Sequence, residues 1–441
     1  MMTERIIQFG EGNFLRGFAD YFIHKLNEKG LFDGSVVIVQ PIAKGLTDTI
    51  NAQKGEYNLY LRGIQDGKEV CEHTKIQSVS RAINPYEDFD AYLSLAGDPN
   101  FRFIISNTTE AGIAYDDSCE ITDAPPSSFP AKLTVLLNER FKKGLKGFII
   151  LSCELIDHNG DELKKCVLKY ADKWNLGEDF KKWLVEENSF CNTLVDRIVT
   201  GYPREEAEKL CEELGYEDKL LDTAEIFHLW VIEGHFEDEL PLQKAGFNVV
   251  WTDDVTPYKK RKVRILNGGH TSMVTGALLS GLETVGQCVN DEVVGNFLKK
   301  CLFTEIVPTL GGSAEDENFA NAVLERFANP YIKHMLRSIA LNSVSKFSVR
   351  VLPTILEYKE QQGEYPLSLT MALAALIEFY KTDKPQDLPE VEEFVKNASV
   401  EEILKNKDLW GSDISDMKKD VEICLNKIHT LGMKRAMEWT I

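Results

Sequence analysis

The sequence has no closely spaced pair of cysteines and no cluster of histidines. Its nine cysteines stand alone along the chain, and its eight histidines include no H-E-x-x-H segment. An odd number of single cysteines in a chain of 441 residues fits reduced thiols better than a disulfide framework. Common zinc motifs need Cys or His ligands at short spacing, and the sequence offers none. We therefore expect a cytoplasmic protein that holds no metal.

Long apolar runs are also missing. A membrane-spanning helix needs about 18 or more consecutive apolar residues, and no stretch of the sequence reaches that length. The N-terminal segment MMTERIIQFGEG combines a charged pair, a short apolar run and two glycines, which is unlike a signal peptide. We expect neither a membrane anchor nor a signal peptide.

Positive charge is scarce in this chain. It has 50 Lys and Arg against 70 Asp and Glu, which gives a formal net charge of -20. Such a chain repels nucleic acid and anionic membranes. The expected partner is therefore a small molecule, and an anionic substrate has to be met by positive charge collected locally. The composition leaves the oligomeric state open.

Strand and helix patterns alternate over the first half of the sequence. RIIQFG (5–10) reads as a strand, the segment up to Gly30 as a helix, and SVVIVQP (35–41) as a second strand. Further buried-type strands at 101–109 and 146–154 are separated by helical segments, and 57–83 reads as a hairpin insertion. This alternation predicts an α/β fold with a doubly wound parallel sheet.

Helical periodicity replaces this pattern from Val263 to Met437. The segment DDVTPY (253–258) separates the two regimes with acidic, Thr and Pro residues. We therefore predict a first domain over 1–254 and a second, mostly α-helical domain over 255–441.

A glycine-rich turn follows the first predicted strand. Gly10 and Gly12 let the backbone turn tightly and approach a pyrophosphate, and the next helix supplies unpaired N–H groups. This context predicts a Rossmann-type domain that binds NAD. The third position of the G-x-G-x-x-G pattern is Leu15, so a plain glycine turn is the alternative. The candidate cofactor residues in this turn are Phe9, Gly10, Gly12, Asn13, Phe14 and Arg16.

Two further strand ends contribute cofactor candidates. An acidic residue at the end of the second strand usually binds the adenosine ribose of NAD, and here Gln40 holds that position. Gln40 can still bond a ribose hydroxyl, so NAD and NADP are not separated at this point. The residues Ser106, Asn107 and Thr108 follow a later strand and fit a loop over a dinucleotide, although a Ser/Thr-rich turn is an equal alternative.

The stretch KVRILNGGHTSMV (262–274) places three polar groups in an apolar helical pattern. On a regular α-helix Lys262, His270 and Asn267 fall at roughly 0°, 80° and 140° and share one broad side. A partly buried lysine beside other cations gives up its proton more readily, and an asparagine amide can donate to an alkoxide. These parts suit hydride transfer without a metal. A basic, solvated helix start with a buried Asn and His is the alternative.

At these residues the sequence resembles the long-chain polyol dehydrogenase (mannitol dehydrogenase) family, whose signature is K-x4-N-x2-H. FGEGNFLRGF, SCELIDHNG (152–160), NTLVDRI (192–198), RFANPYIKH and IALNSVSKF are also similar to that family. The resemblance implies an NAD-dependent alcohol dehydrogenase in which Lys262 is the general acid/base. It further implies that Asn267 and Asn159 stabilise an oxyanion and that His270 orients hydroxyls. It implies substrate roles for Asp196, Lys346 and Arg337.

The resemblance also implies a substrate class. A keto-hexuronate/aldonate pair is expected, with tagaturonate and altronate first, and fructuronate/mannonate or mannitol/fructose as alternatives. The family often has a glutamate after the Pro-Tyr pair, where this chain has Lys259 and Lys260. That extra positive charge suits a carboxylate-bearing substrate. An alternative of another class is a nucleotide-binding protein without turnover, which would need no Lys/Asn/His set.

Overall fold

The computed structural model describes residues 2–441, and the chain divides into two compact units. The first unit runs to Arg62 and continues over Val70–Val255. The second unit consists of Gly63–Glu69 and Thr256–Ile441. The domain boundary at 254/255 stays a prediction, and no pattern in the sequence indicated that Gly63–Glu69 groups with Thr256–Ile441.

The strands lie in the first unit and in the short excursion that interrupts it. They are β1 (Glu4–Phe9), β2 (Ser35–Val39), β3 (Tyr57–Gln65), β4 (Lys68–Ile76), β5 (Val79–Ile83), β6 (Phe103–Ser106), β7 (Ile149–Ser152), β8 (Ser189–Cys191), β9 (Thr193–Asp196), β10 (Asp222–Glu225), β11 (Leu229–Glu233) and β12 (Val249–Thr252).

The first unit is built on a six-stranded parallel sheet. Its strand order is β5-β2-β1-β6-β7-β8, with every neighbouring pair parallel. Numbered along the sheet's own strands this is 3-2-1-4-5-6, the order of a Rossmann fold. The strands are buried on both faces, as all-parallel sheets require. The predicted α/β class, a Rossmann-type doubly wound parallel sheet beside a second, mostly α-helical domain, is confirmed.

The hairpin predicted over 57–83 is confirmed for β3 and β4, which are neighbours in a separate sheet of order β10-β3-β4. The prediction is wrong for the last part of that segment, because β5 forms the edge of the main sheet. The later strands β11 and β12 form a third sheet, β12-β11-β9. Alternation of apolar residues marks a strand but does not select its partner, which explains the error at β5.

Within residues 2–441, eight α-helices surround the sheets of the first unit. They are α1 (Asn13–Arg16), α2 (Ala19–Glu28), α3 (Thr47–Ala52), α4 (Phe89–Ser94), α5 (Phe129–Lys142), α6 (Asn159–Lys173), α7 (Glu178–Glu186) and α8 (Ala207–Leu214). The first predicted helix is thus broken into α1 and α2 near Gly17. An added Cβ at Gly17 would lie 3.1 Å from Val199 Cγ1, so this glycine allows the chain around Val199 to pack closely.

The second unit is helical. Its α-helices are α9 (Thr256–Lys262), α10 (Gly268–Leu279), α11 (Val285–Asn290), α12 (Glu292–Lys300), α13 (Ala314–Phe327), α14 (Leu336–Ile339), α15 (Ser343–Arg350), α16 (Leu352–Gln362), α17 (Leu367–Thr382), α18 (Pro389–Asn397), α19 (Val400–Lys405), α20 (Lys407–Trp410), α21 (Lys418–Leu431) and α22 (Met433–Thr440). The unit also contains two π-helical stretches, Val263–Asn267 and Cys301–Ile306, and two short 3-10 helices, Val307–Leu310 and Ser415–Met417. Among residues 2–441, no helix combines the length and apolar character that crossing a membrane requires.

Candidate active site

The glycine-rich turn lies where the strand order of the main sheet reverses. The Gly10 N–H donates to the Val39 carbonyl (3.2 Å), and the Asn107 N–H donates to the Phe9 carbonyl (3.0 Å). Gly10 has φ +118°, and an added Cβ there would lie 2.7 Å from the Asn107 carbonyl oxygen. Only glycine fits this position. The turn therefore sits at the topological switch point, where Rossmann folds bind their ligands.

The next glycine leaves room for a ligand. An added Cβ at Gly12 would have no other heavy atom of the protein within 4 Å. Asn13 is exposed and Phe14 is half-buried, stacked on Phe18 with ring centroids 5.0 Å apart. The open backbone at Gly12 fits the close approach that a pyrophosphate makes to such a turn.

Arg16, predicted to add charge for a cofactor, is instead committed inside the protein. It is 2% exposed, and its guanidinium donates to the carbonyls of Glu11 (3.2 Å) and Leu220 (2.6 Å). It also donates to Asn13 Oδ1 (2.5 Å). A buried guanidinium needs such partners, so this arginine braces the turn.

Two buried carboxyl groups lie beneath the same turn. Burial raises the pKa of Asp20 to about 7, and it raises the pKa of Asp222 to about 7 as well. The Tyr57 hydroxyl bridges to this layer by donating to the Arg16 carbonyl (2.8 Å) and to Asp20 Oδ2 (3.3 Å). Sequence reasoning missed this cluster, since its members come from segments far apart in the chain.

Gln40 and Glu11 together shape the end of β2. Gln40 is buried; its Nε2 donates to the Ile42 carbonyl (2.8 Å) and its Oε1 accepts from Thr47 Oγ1 (2.8 Å). Its amide therefore holds the loop after β2. An added Cβ at Gly45 in that loop would lie 2.1 Å from Glu11 Oε1 and 2.5 Å from Gln40 Oε1. An acidic side chain is therefore present at the end of β2, but Glu11 of the glycine-rich turn supplies it instead of a residue of the strand itself.

The loop after β6 is anchored by Glu154. The carboxylate of this buried residue accepts from Ser106 Oγ (3.1 Å) and from both the N–H and Oγ1 of Thr108 (3.0 Å each). Asn107 Nδ2 donates to the Cys153 carbonyl (2.7 Å). Burial raises the pKa of Glu154. The hydroxyls of Ser106 and Thr108 therefore order the loop, which keeps Asn107 beside Gly10.

Asn159 is enclosed by backbone groups at the start of α6. It is 1% exposed, and its Nδ2 donates to the carbonyls of Ser152 (2.8 Å), Glu154 (3.0 Å) and Thr193 (3.1 Å). Its Oδ1 accepts from the N–H groups of Gly160 and Thr193 (2.9 Å each). Both hydrogens of the amide are directed at carbonyls, so the side chain joins β7 to β9 in this structure. Its oxyanion role stays a prediction.

Asp196 ends β9 and is 5% exposed. The neighbouring Arg197 is buried and donates to the carbonyls of Gly17 (2.8 Å) and Phe227 (3.1 Å). The arginine of the VDRI motif thus supports the break between α1 and α2. The substrate role of Asp196 stays a prediction.

The segment Lys262–His270 is not a regular α-helix. The chain leaves α9 at Lys262, passes through the π-helical stretch Val263–Asn267 and enters α10 at Gly268. A π-helix bonds residues five apart, so Lys262 and Asn267 lie one turn apart on the same face. His270 follows Asn267 by three residues of α-helix and shares that face. The predicted continuous α-helix is wrong over Val263–Asn267, and the three polar residues align more closely than predicted.

The two glycines after Asn267 let neighbouring segments of the helical unit pack closely against the start of α10. An added Cβ at Gly268 would lie 3.1 Å from the Arg350 carbonyl oxygen, and one at Gly269 would lie 3.1 Å from Leu302 Cδ2. Larger side chains here would push α15 or the second π-helical stretch away from the polar face.

The polar face keeps an unused amide and an unused imidazole nitrogen. Lys262 and Asn267 are half-buried, and among residues 2–441 the Asn267 side chain makes no hydrogen bond. The His270 ring stacks on Phe327 (centroids 3.9 Å apart) and meets His334 edge to face (5.1 Å). Its Nε2 is buried and has no hydrogen-bond partner among the same residues.

His270 is held in its neutral form. Burial is the main cause that keeps the pKa of His270 well below its ordinary value. The charges of His334, Arg326 and Arg350 lower that pKa further. A neutral imidazole can donate to or accept from a substrate hydroxyl without adding charge.

The basic run before the polar face is largely paired with acids. Arg261 Nε lies 2.6 Å from Asp316 Oδ1, and Arg264 donates to Thr354 Oγ1 (2.7 Å) and to Glu357 (3.1 Å). Lys260 also pairs with Glu357, at 3.3 Å. The positive field expected from these residues is therefore reduced by their partners.

The two cations predicted to bind substrate lie in different environments. Arg337 is exposed and forms a two-point ion pair with Asp383, at 2.9 and 3.0 Å. Lys346 is half-buried, and its Nζ donates to the Ile339 carbonyl (2.9 Å). Burial, followed by the charge of Arg350, lowers the pKa of Lys346. Of the two, Lys346 is the one that belongs to a partly desolvated site.

The two units match two models of one family. The mannitol dehydrogenase Rossmann domain matches residues 4–244, and the mannitol dehydrogenase C-terminal domain matches residues 254–431. A protein of Yersinia enterocolitica named altronate oxidoreductase is 52% identical over 390 residues, 86% of this chain and 80% of that protein. A Bacillus subtilis protein of the same name is 45% identical over 455 residues, 99% of this chain and 95% of its own.

Solved structures agree with this assignment. The structure of a substrate-free D-sorbitol dehydrogenase superposes with a TM-score of 0.86 at 26% identity, covering 99% of this chain and 95% of its own. Mannitol 2-dehydrogenase of Pseudomonas fluorescens, solved with NAD and D-mannitol, has a TM-score of 0.70 at 23% identity, covers 99% and 94%, and supports the fold. The chain belongs to the mannitol dehydrogenase family.

Proposed function

We propose that this protein is an NAD-dependent oxidoreductase that interconverts tagaturonate and altronate. The observation that carries the proposal is the polar face on which Lys262, Asn267 and His270 align. Relatives named altronate oxidoreductase, at 45–52% identity, support the substrate assignment. The first unit binds the cofactor, and the second unit supplies the acid–base chemistry.

Residues at the switch point would hold the dinucleotide. The backbone of Gly10 and Gly12 fits a pyrophosphate, and the loop at Asn107 borders it. When bound there, the dinucleotide would supply the hydride chemistry of the reaction. The chain's own residues handle the proton and the developing charge on the substrate oxygen.

In the reductive direction the substrate's keto oxygen gains negative charge. The unused amide of Asn267 donates to that oxygen, and Lys262 gives it a proton. In the oxidative direction Lys262, in its neutral form, takes the hydroxyl proton. Neutral His270 orients a neighbouring hydroxyl through its unpaired Nε2.

A test of this function is a panel of substrates with the complete chain. NADH absorbance is followed with tagaturonate, fructuronate and fructose, and NAD reduction is followed with altronate, mannonate and mannitol. The highest kcat/KM is expected for tagaturonate and altronate. A higher kcat/KM for the fructuronate/mannonate or fructose/mannitol pair would keep the reaction type but replace the substrate assignment. No turnover of any of these compounds would indicate a nucleotide-binding protein without catalytic activity.

Glu11 supports the choice of NAD over NADP. Its carboxylate lies at the end of β2, where the adenosine ribose binds in Rossmann folds, and it would repel a 2′-phosphate. Glu11→Gln is therefore expected to raise the NADPH/NADH ratio of kcat/KM at least about tenfold. Glu87→Gln, an exposed position on the same unit, is the control. An unchanged ratio in Glu11→Gln would remove this residue from cofactor selection.

The proposal places the enzyme in the cytoplasm and in hexuronate catabolism. All nine cysteines are free thiols, and several, such as Cys153 and Cys301, are fully buried. Reduced thiols of this kind are normal in that compartment.

A further inference from the structure

Arg350 is a half-buried arginine without a counter-ion. It is the last residue of α15 and, within residues 2–441, its guanidinium takes part in no hydrogen bond or ion pair. Other arginines of the helical unit are paired: Arg261 with Asp316, Arg264 with Glu357, and Arg337 with Asp383. Burying part of a charge without a partner costs free energy, so a residue of this kind calls for a ligand.

The position of Arg350 is next to the polar face. Its carbonyl oxygen lies 3.1 Å from the point that a Cβ on Gly268 would occupy, directly after Asn267. Its charge also reaches His270, where it adds to the effects of burial, His334 and Arg326 on the imidazole. Arg350 therefore belongs to the same site as the Lys/Asn/His set.

A second cation stands beside it. Lys346 lies four residues earlier in α15, on the same side of the helix, and is also half-buried. Like charges at this spacing destabilise a helix, and no carboxylate of the described residues forms an ion pair with either side chain. In a chain with a net charge of -20, such a pair marks a place prepared for an anion.

The chemistry of that anion follows from the guanidinium. Its planar fork matches the two oxygens of a carboxylate, whereas a neutral hexitol offers no charge to pair with it. Tagaturonate and altronate carry a carboxylate at the opposite end of the carbon chain from the reacting carbon. The cation that binds this carboxylate therefore has to be a residue other than Lys262 and has to lie near it in the same site.

We propose that Arg350, assisted by Lys346, binds the carboxylate of the sugar acid and makes the site select acids over hexitols. This inference rests on the proposed oxidoreductase function and adds the residue that sets its substrate class. Arg350 was not among the residues singled out in the sequence, because only its lack of a partner in the fold distinguishes it.

The experiment compares one acid with its matching alcohol. We measure kcat/KM for altronate and for altritol, in which a hydroxymethyl group replaces the carboxylate, in wild type, Arg350→Leu and Arg350→Lys. In Arg350→Leu the value for altronate is expected to fall about 10- to 100-fold, the range of a hydrogen bond to a charged group. The value for altritol stays within about threefold, as does the affinity for NADH. Arg350→Lys, which keeps the charge but loses the fork, falls between.

Arg435→Leu is the matched control, because Arg435 is an exposed arginine of α22 in the same unit. It leaves both substrates unaffected, and thermal unfolding confirms that each variant is folded. Equal losses on altronate and altritol, or no loss on altronate, would overturn the proposal. A selective loss of NADH affinity would also overturn it and assign the anion to the cofactor's phosphates.

The wild-type measurements separate this inference from the proposed function. If wild type turns over neither altronate nor tagaturonate, the proposed function fails, and the comparison is repeated with the acid of the panel that wild type does use. If wild type uses only uncharged hexitols, the role of Arg350 is overturned. If wild type uses altronate and Arg350→Leu does so equally well, the function stands and only this inference fails.

Discussion

Replacing Lys262 by alanine is expected to lower kcat for altronate oxidation about a thousandfold, within the range that general acid–base catalysis contributes. The residue lies at the end of α9, where the π-helical stretch aligns it with Asn267. Without the amine, the basic group left on that face is the imidazole of His270, a poor base because burial keeps its pKa well below the ordinary value. NADH affinity, measured by nucleotide fluorescence, and the unfolding temperature are expected to stay near the wild-type values.

Two comparisons sharpen this prediction. Lys299→Ala removes an exposed lysine of α12 and is expected to leave kcat unchanged. Added methylamine is expected to restore part of the activity of Lys262→Ala, because a free amine can occupy the vacated space and carry the proton. If Lys262→Ala unfolds, Lys262 has a structural role. If the variant keeps full activity, Lys262 takes no part in catalysis.

Asn267→Ala is expected to lower kcat about 10²- to 10³-fold, the cost of removing one oxyanion donor. The side chain makes no hydrogen bond within residues 2–441, so its loss leaves no protein group unpaired. The free energy of unfolding should therefore change by less than about 1 kcal/mol. The measurement is of kcat and of the unfolding temperature on the same preparation, and only kcat is expected to change.

Asn159→Ala is expected to affect stability more than Asn267→Ala does, because the Asn159 amide hydrogen-bonds to backbone groups through both its nitrogen and its oxygen. Truncation leaves the N–H groups of Gly160 and Thr193 without a bond in the interior, whereas the carbonyls of Ser152 and Glu154 keep other donors. Each buried unsatisfied group costs about 1–3 kcal/mol, so we expect about 3 kcal/mol or more of lost stability. A stable Asn159→Ala protein with a collapsed kcat would establish it as an oxyanion donor after all.

Much of the first unit could be predicted from short patterns. The run RIIQF and the run SVVIV are apolar segments of strand length, and they became β1 and β2. The glycine directly after the first strand and before a helix correctly indicated a tight turn, because Gly10 has a positive φ that other residues avoid. Such features are local, so the sequence displays them directly.

Long-range partners were not predictable in the same way. Arg16 reads as a cation near a phosphate site, yet its partner is the carbonyl of Leu220, about two hundred residues away. Glu11 stands between two glycines and shows no function in the sequence, yet its carboxylate lies beside the loop at the end of β2. The role of a polar side chain depends on which segment folds against it, and one sequence does not state that pairing.

The π-helical stretch was missed for another reason. Val263–Asn267 has no residue that forbids an α-helix, so helical periodicity continues through it. The stretch differs from its surroundings only by one extra residue in the turn, which is a property of the backbone. Such single turns are often found at functional sites, so K-x4-N-x2-H is better interpreted as a π-turn spacing than as an α-helical one.

The extra residue in that turn also limits how this protein can diverge. Removing a residue between Lys262 and Gly268 would turn this stretch into a uniform α-helix and shorten the spacing between the amine and the amide from five residues to four, so the wider turn that holds both groups would be lost. Length is therefore fixed in this part of the chain, whatever side chains evolution tries there. We therefore expect new substrate preferences to arise on α15, where Lys346 and Arg350 can be substituted without changing the number of residues.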